Sequence, residues 1–175
     1  ESTLALTFDG DTDMQPDLVW YKRRNATSNH VLTDAVRGTS SQLFSNLVDV
    51  ANTDSNELTA FGSDGFSVGD SSNANDDGGT YVAWCWKANG TGSSNTDGSI
   101  NTAATSANTT AGFSINTYTG TGAVATVGHG LGAVPEVMLV HSRSNAYNWA
   151  LYHPVATGNT YAFYMNTTAI PDESV

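Results

Sequence analysis

An all-β fold, an antiparallel sandwich of short strands, is what this sequence predicts, and three observations predict it. Apolar and polar residues alternate over short stretches along nearly the whole chain, the signature of half-buried strands. Thr, Asn, Ser and Gly are abundant, the first suited to strands and the others to tight turns. No long window carries a helical period, and Glu, a good helix former, occurs only four times among 175 residues.

The elements follow in order. LALTF (4–8), DLVWYK (17–22), HVLTD (30–34), SQLFSN (41–46), ELTAF (57–61), GFSVG (65–69) and TYVAWCWK (80–87) read as successive strands. GSDG and GDSSNANDDGG, rich in Gly and Asp, read as reversals between them. Residues 89–111, NGTGSSNTDGSINTAATSANTTA, hold almost no large apolar side chain except Ile100 and are expected to be a flexible linker. Strands resume with GFSINTYTG (112–120), AVATVG (123–128), EVMLVHS (136–142), NWALYH (148–153) and TYAFYMN (160–166). The expected organisation is a first β-sandwich unit over 1–88, the linker over 89–111, and a second, incomplete unit over 112–175.

The second unit echoes the first. PDLVWYKRRNATSNHVL from Pro16 and PEVMLVHSRSNAYNWAL from Pro135 share the order Pro, acid, apolar strand, Arg, Asn, apolar strand, at an offset of 119. Trp20 then aligns with Leu139, Arg24 with Arg143, Asn29 with Asn148 and Leu32 with Leu151; at an offset of 120, Asn46 aligns with Asn166. The shared order, more than the few identities, predicts a duplicated β unit. After TYAFYMN only TTAIPDESV remains, with no counterpart of the strands that complete the first unit. One sheet face and one strand edge of the second unit are therefore expected to lack a cover, and the polypeptide is expected to continue past Val175 or to borrow strands from another copy.

Several segments together resemble β-sandwich modules of tail-fibre and other structural proteins of marine bacteriophages: PDLVWYKRR…HVLTDAVRG, LTAFGSDGFSVG, TYVAWCWK and GFSINTYTGTGAVATVGHGLGAVPEVMLVHSRS…NWALYH. SDGFSVG, YVAWCWK and GHGLG followed by Pro are the more specific parts, and the resemblance runs from about Phe8 to Asn166. It implies a jelly-roll, concanavalin A-like or laminin-G-like sandwich. It also implies a virion or extracellular location and a structural, receptor-facing role in a fibre. Other copies of the chain, other virion proteins and host surface glycans are the implied partners. A carbohydrate-binding, lectin-like domain of a secreted or surface protein is the alternative.

Charge argues in the same direction. Six Lys and Arg against 17 Asp and Glu give a net charge of −11, a surface that repels phosphate backbones, so no nucleic-acid partner is expected. No run approaches the ~18 apolar residues of a membrane helix, so no membrane insertion is expected.

Candidate chemistry is sparse. Asp9, Asp11 and Asp13 alternate in FDGDTDMQPD, a spacing at which carboxylates can wrap a calcium ion. Met14 stands where an EF-hand needs Gly, and Trp20 where it needs Glu, so at most a structural calcium is read there; no other cofactor is expected. His30, His129, His141 and His153 form no zinc motif, although His141 and His153 lie on consecutive strands and could approach each other. GHGLG around His129 lacks the lysine of a phosphate loop. The scattered glutamates offer no carboxylate pair of the kind glycosidases use, so no enzyme activity and no catalytic residue are expected. Cys85, the single cysteine, rules out an internal disulfide and reads as a buried strand residue. Four N-x-Ser/Thr triplets begin at Asn25, Asn89, Asn108 and Asn166 and are read as chance matches in an Asn- and Thr-rich chain. Aromatic residues number 17, most expected in the core; an exposed ring among them would suit a sugar face. Trp84 and Trp86 fall on one strand face, with Cys85 opposite.

Overall fold

The computed structural model describes residues 3–154 and 163–168, and thirteen strands lie among them. They are β1 (Leu4–Thr7), β2 (Leu18–Arg23), β3 (His30–Asp34), β4 (Ser41–Phe44), β5 (Asn52–Thr53), β6 (Leu58–Gly62) and β7 (Gly65–Val68). β8 (Tyr81–Trp86), β9 (Ala104–Asn108), β10 (Phe113–Thr117), β11 (Met138–Val140), β12 (Ala150–Tyr152) and β13 (Phe163–Tyr164) complete the set. Every strand pairing is antiparallel, as the short hairpin spacing requires.

The centre is a five-stranded sheet in the order β5-β4-β3-β2-β8. Its two faces separate by strict alternation. Val19, Tyr21 and Val31 point one way and pack with Leu58, Phe66 and Val68 of the three-stranded sheet β1-β7-β6, with Phe8, Phe44, Phe61 and Cys85 around them. This pair of sheets forms the main core. The β6–β7 hairpin is fixed by its turn: Gly65 sits at φ +129°, and a Cβ there would collide with the carbonyl oxygen of Leu6. On the opposite face Leu32 and Leu43, with Leu18 and Trp20 beside them, meet Trp149 and Met165, which flank β12 and β13. β11, β12 and β13 make their own three-stranded sheet, in that order.

Several buried polar groups are paired. Tyr21 donates to Glu57 Oε2 at 2.7 Å, and Asn73 Nδ2 reaches Glu57 Oε1 at 2.8 Å. Arg37 Nε meets Asp34 Oδ2 at 2.6 Å, while the other guanidinium nitrogens cap the carbonyls of Ser41 and Leu32. Asp17 accepts from the Ala88 amide at 2.7 Å and ties the end of β8 to the start of β2.

Two expectations need correction at the level of elements. Residues 89–111 are not a structureless linker. They contain β9, paired along its length with β10, and an antiparallel bridge from Ser93 to Thr105. Small hydroxyl and amide groups replace apolar burial there: Thr102 Oγ1 accepts from the Asn95 amide at 2.8 Å and bonds Thr105 Oγ1 at 2.9 Å, and Ser106 Oγ accepts from the Asn89 amide at 2.8 Å. AVATVG (123–128) forms no strand; only Val127 pairs, in a single parallel bridge to Ile100. β5 was not legible because its two residues carry no alternation. Within TYAFYMN, residues 160–162 lie outside the described residues, as do Asp172 and Glu173.

β2-β3-β4 and β11-β12-β13 share a register at the offset read from the sequence. Trp20 faces Leu32 as Leu139 faces Leu151, and Tyr21 faces Val31 as Val140 faces Ala150. Leu32 faces Leu43 as Leu151 faces Phe163. The turns match as well. Asn46 Oδ1 accepts from the His30 amide at 2.8 Å and its Nδ2 donates to Asn29 Oδ1 at 3.1 Å. Asn166 Oδ1 accepts from the Trp149 amide at 2.9 Å and its Nδ2 donates to Asn148 Oδ1 at 2.9 Å. The surroundings differ. β2 pairs with β8 on its outer side, whereas among the described residues nothing pairs with the outer edge of β11. Val137, Met138, Leu139 and Val140 are all exposed.

Candidate functional site

The residues most able to hold a ligand lie on the second face of the central sheet, and alternation in β2 and β8 puts them there. Trp20 pairs in register with Trp84, and Leu18 with Trp86. Trp86 is covered, its ring stacked on Phe113 of β10 at 6.1 Å and 24°. Trp20 is flanked by the Trp149–Met165 cluster. Trp84, between them, meets Trp20 alone among the described rings, at 5.6 Å with a 52° tilt, and remains 48% exposed. An indole of this size usually contributes to a core; here about half of it stays open to solvent.

Trp20, whose ring Trp84 meets, lines an open cleft of about 590 Å³. Trp20, His30 and Asn46 line one wall, Met165, Asn166 and Thr167 the other. The cleft thus falls between the two equivalent Asn-locked turns. Trp20 Nε1 is buried and has no hydrogen-bond partner, an uncommon state for an indole N–H. Burial, and then the nearby Lys22 charge, lower the pKa of His30, which keeps its ring neutral near pH 7. The cleft therefore offers an aromatic surface, neutral amides and a neutral imidazole. That set can grip hydroxyls while a ring covers C–H bonds.

A second hollow, about 270 Å³, is lined by Ser93, Asn95, Asp97 and Thr105. Its Asn95 side chain accepts from the Asp97 amide at 2.7 Å and serves the loop itself.

The residues singled out from sequence fare differently. Asp9, Asp11 and Asp13 are exposed in the segment between β1 and β2. Among the described residues no group of three or more His, Cys, Asp or Glu comes together in a way that could hold a metal ion. His141 and His153 do not approach each other. Antiparallel pairing of β11 with β12 sets His141 against Trp149, its ring stacked at 4.2 Å and 6°, while His153 lies past the other end. His141 Nε2 also bonds the Asp49 carbonyl at 2.9 Å. The His129 ring accepts from the Leu131 amide at 3.2 Å, closing its own glycine-rich turn. Cys85 packs against the main core, and burial pushes its thiol up to about 11, away from nucleophilic use. The Tyr21 hydroxyl is held protonated, its pKa raised by burial and then by the Glu57 charge, so it acts as a donor and not as a base.

The cleft itself was missed by reasoning from sequence. Asn46 and Asn166 had aligned, but only folding shows that both aligned turns face one space. Nothing in YVAWCWK distinguishes the covered Trp86 from the exposed Trp84.

Fold and site together define an all-β domain of small antiparallel sheets, with one open indole-lined cleft. A family model described as a domain of unknown function (DUF7483) matches residues 7–174, and the chain belongs to that family. No curated protein and no solved structure gives a significant match. No helix among the described residues is long and apolar enough to cross a membrane.

Proposed function

We propose that this domain is a non-enzymatic structural module of a phage-like virion appendage, a tail or surface fibre placed outside the cell to meet a receptor. In this reading β2-β3-β4 and β11-β12-β13 are two copies of one concanavalin A-like sandwich unit. The observation that carries it is the outer edge of β11, which no strand among the described residues pairs. Its counterpart β2 is closed by β8 and covered by Leu58, Phe66 and Val68. β11 instead leaves Met138 and Val140 43% and 46% exposed, at the positions of the buried Val19 and Tyr21. An apolar edge strand is a template for pairing with another chain, and fibres are built by such repeated contacts between copies or with neighbouring proteins. The segments SDGFSVG, YVAWCWK and GHGLG, which resemble phage fibre modules, support the same setting.

Light scattering over a concentration series tests the assembly. The chain should self-associate, and Val140→Lys, which puts a charge on the open strand, should return it to monomer. A wild-type chain that stays monomeric at every concentration would overturn the reading. A carbohydrate-binding domain is the second reading, favoured by the exposed Trp84.

A further inference from the structure

We propose that Trp84 and the adjoining cleft form a binding site for a neutral saccharide; this deepens the receptor-facing part of the function proposed above and rests on it. The argument starts from exposure. Along one face of β2 and β8, Trp86 is stacked on Phe113 and Trp20 is packed beside Met165, yet Trp84 between them is 48% exposed. Exposing so large an indole forgoes burial that its neighbours achieve. The apolar C–H face of a pyranose ring fits such a surface, shielding both from water.

The walls supply the polar half of the match. Trp20 presents its indole surface to the cleft, while its Nε1 is buried and out of a ligand's reach. Asn46 and Asn166 each use one amide hydrogen and one carbonyl lone pair in their turns. An amide has two donors and two acceptor sites, so each keeps one of each kind for a hydroxyl. Neutral His30 offers a donor and an acceptor on one ring. The net charge of −11 disfavours acidic sugars. Mixed aromatic and amide chemistry of this sort suits an uncharged hexose polymer better than a peptide or a phosphate.

Titration of the full chain with cellohexaose, maltoheptaose, mannohexaose and chitohexaose, followed by tryptophan fluorescence and calorimetry, tests the site. At least one should bind with Kd on the order of a millimolar or tighter and shift the indole emission. Trp84→Ala should weaken that binding about tenfold or more, while Trp84→Phe, which keeps a ring, should weaken it less. Circular dichroism checks that both variants fold; if Trp84→Ala does not, Trp84→Phe and Asn46→Asp carry the comparison. Val140→Lys should bind the saccharide like wild type, which separates this site from the assembly edge. No binding across the panel, wild-type binding by Trp84→Ala, or preference for heparin or sialyl-lactose over the neutral sugars would overturn the proposal. Self-association that survives any of these results would leave the appendage reading standing.

Discussion

Replacing Tyr21 by Phe removes one oxygen atom from the main core and tests how that core tolerates a buried carboxyl group. Tyr21 is 3% exposed and Glu57 1%. The hydroxyl donates to Glu57 Oε2 at 2.7 Å, leaving only Asn73 Nδ2 on the other carboxyl oxygen once it is gone. A hydrogen bond to a charged group contributes about 1.5–3 kcal/mol, and more is lost when the acceptor cannot reach water. For a chain of this length that corresponds to a melting point lower by roughly 3–12 °C. The pH dependence carries a sign of its own. Folding raises the Tyr21 pKa above its ordinary value of 10.0, so its contribution is fully present below that value. As pH rises past it the unfolded chain releases the proton and the folded chain does not, and stability falls by about 1.4 kcal/mol per pH unit. Tyr21→Phe has no such proton. Urea unfolding of both proteins between pH 7 and 11 should show a gap that is constant to about pH 10 and narrows above it. Equal stability at pH 7, or a gap that stays constant to pH 11, would refute the reasoning.

Other outcomes follow from the same geometry. Asn46→Ala and Asn166→Ala each remove two turn-closing bonds and should each cost about 1–2 kcal/mol in urea unfolding; a neutral Asn46→Ala would contradict the lock. Cys85 in the folded chain should react with iodoacetamide at pH 8 about a hundredfold more slowly than in urea, following its raised pKa, and equal rates would contradict its burial. With Asp9, Asp11 and Asp13 exposed and apart from other ligands, exchange of calcium for EDTA should move the melting point by less than about 1 °C. A larger rise with calcium would show that the loop closes on an ion.

Strands with alternating apolar residues were legible because their faces bury different neighbours. DLVWYK, HVLTD and TYVAWCWK fall where they were expected, and Cys85 sits opposite Trp84 as period two demands. Pattern was less use where polar groups do the packing. β9, read as ATSAN, buries Thr105 and Ser106 through hydroxyl bonds and gives no hydrophobic signal. AVATVG erred the other way: it alternates, but Val124 is fully exposed and only one residue pairs. The echo between Pro16 and Pro135 has a counterpart in strand register and in the turns that Asn46 and Asn166 close. The cleft was not legible, since it depends on how two sheets meet.

Thiol labelling of Val140→Cys, with native Cys85 as the slow internal reference, tests most directly whether the β11 edge is an assembly surface. At low concentration the new thiol should react as an open one, because Val140 is 46% exposed, and it should become protected as concentration rises and copies pair. Protection that is already complete at the lowest concentration, or absent at the highest, would contradict the account.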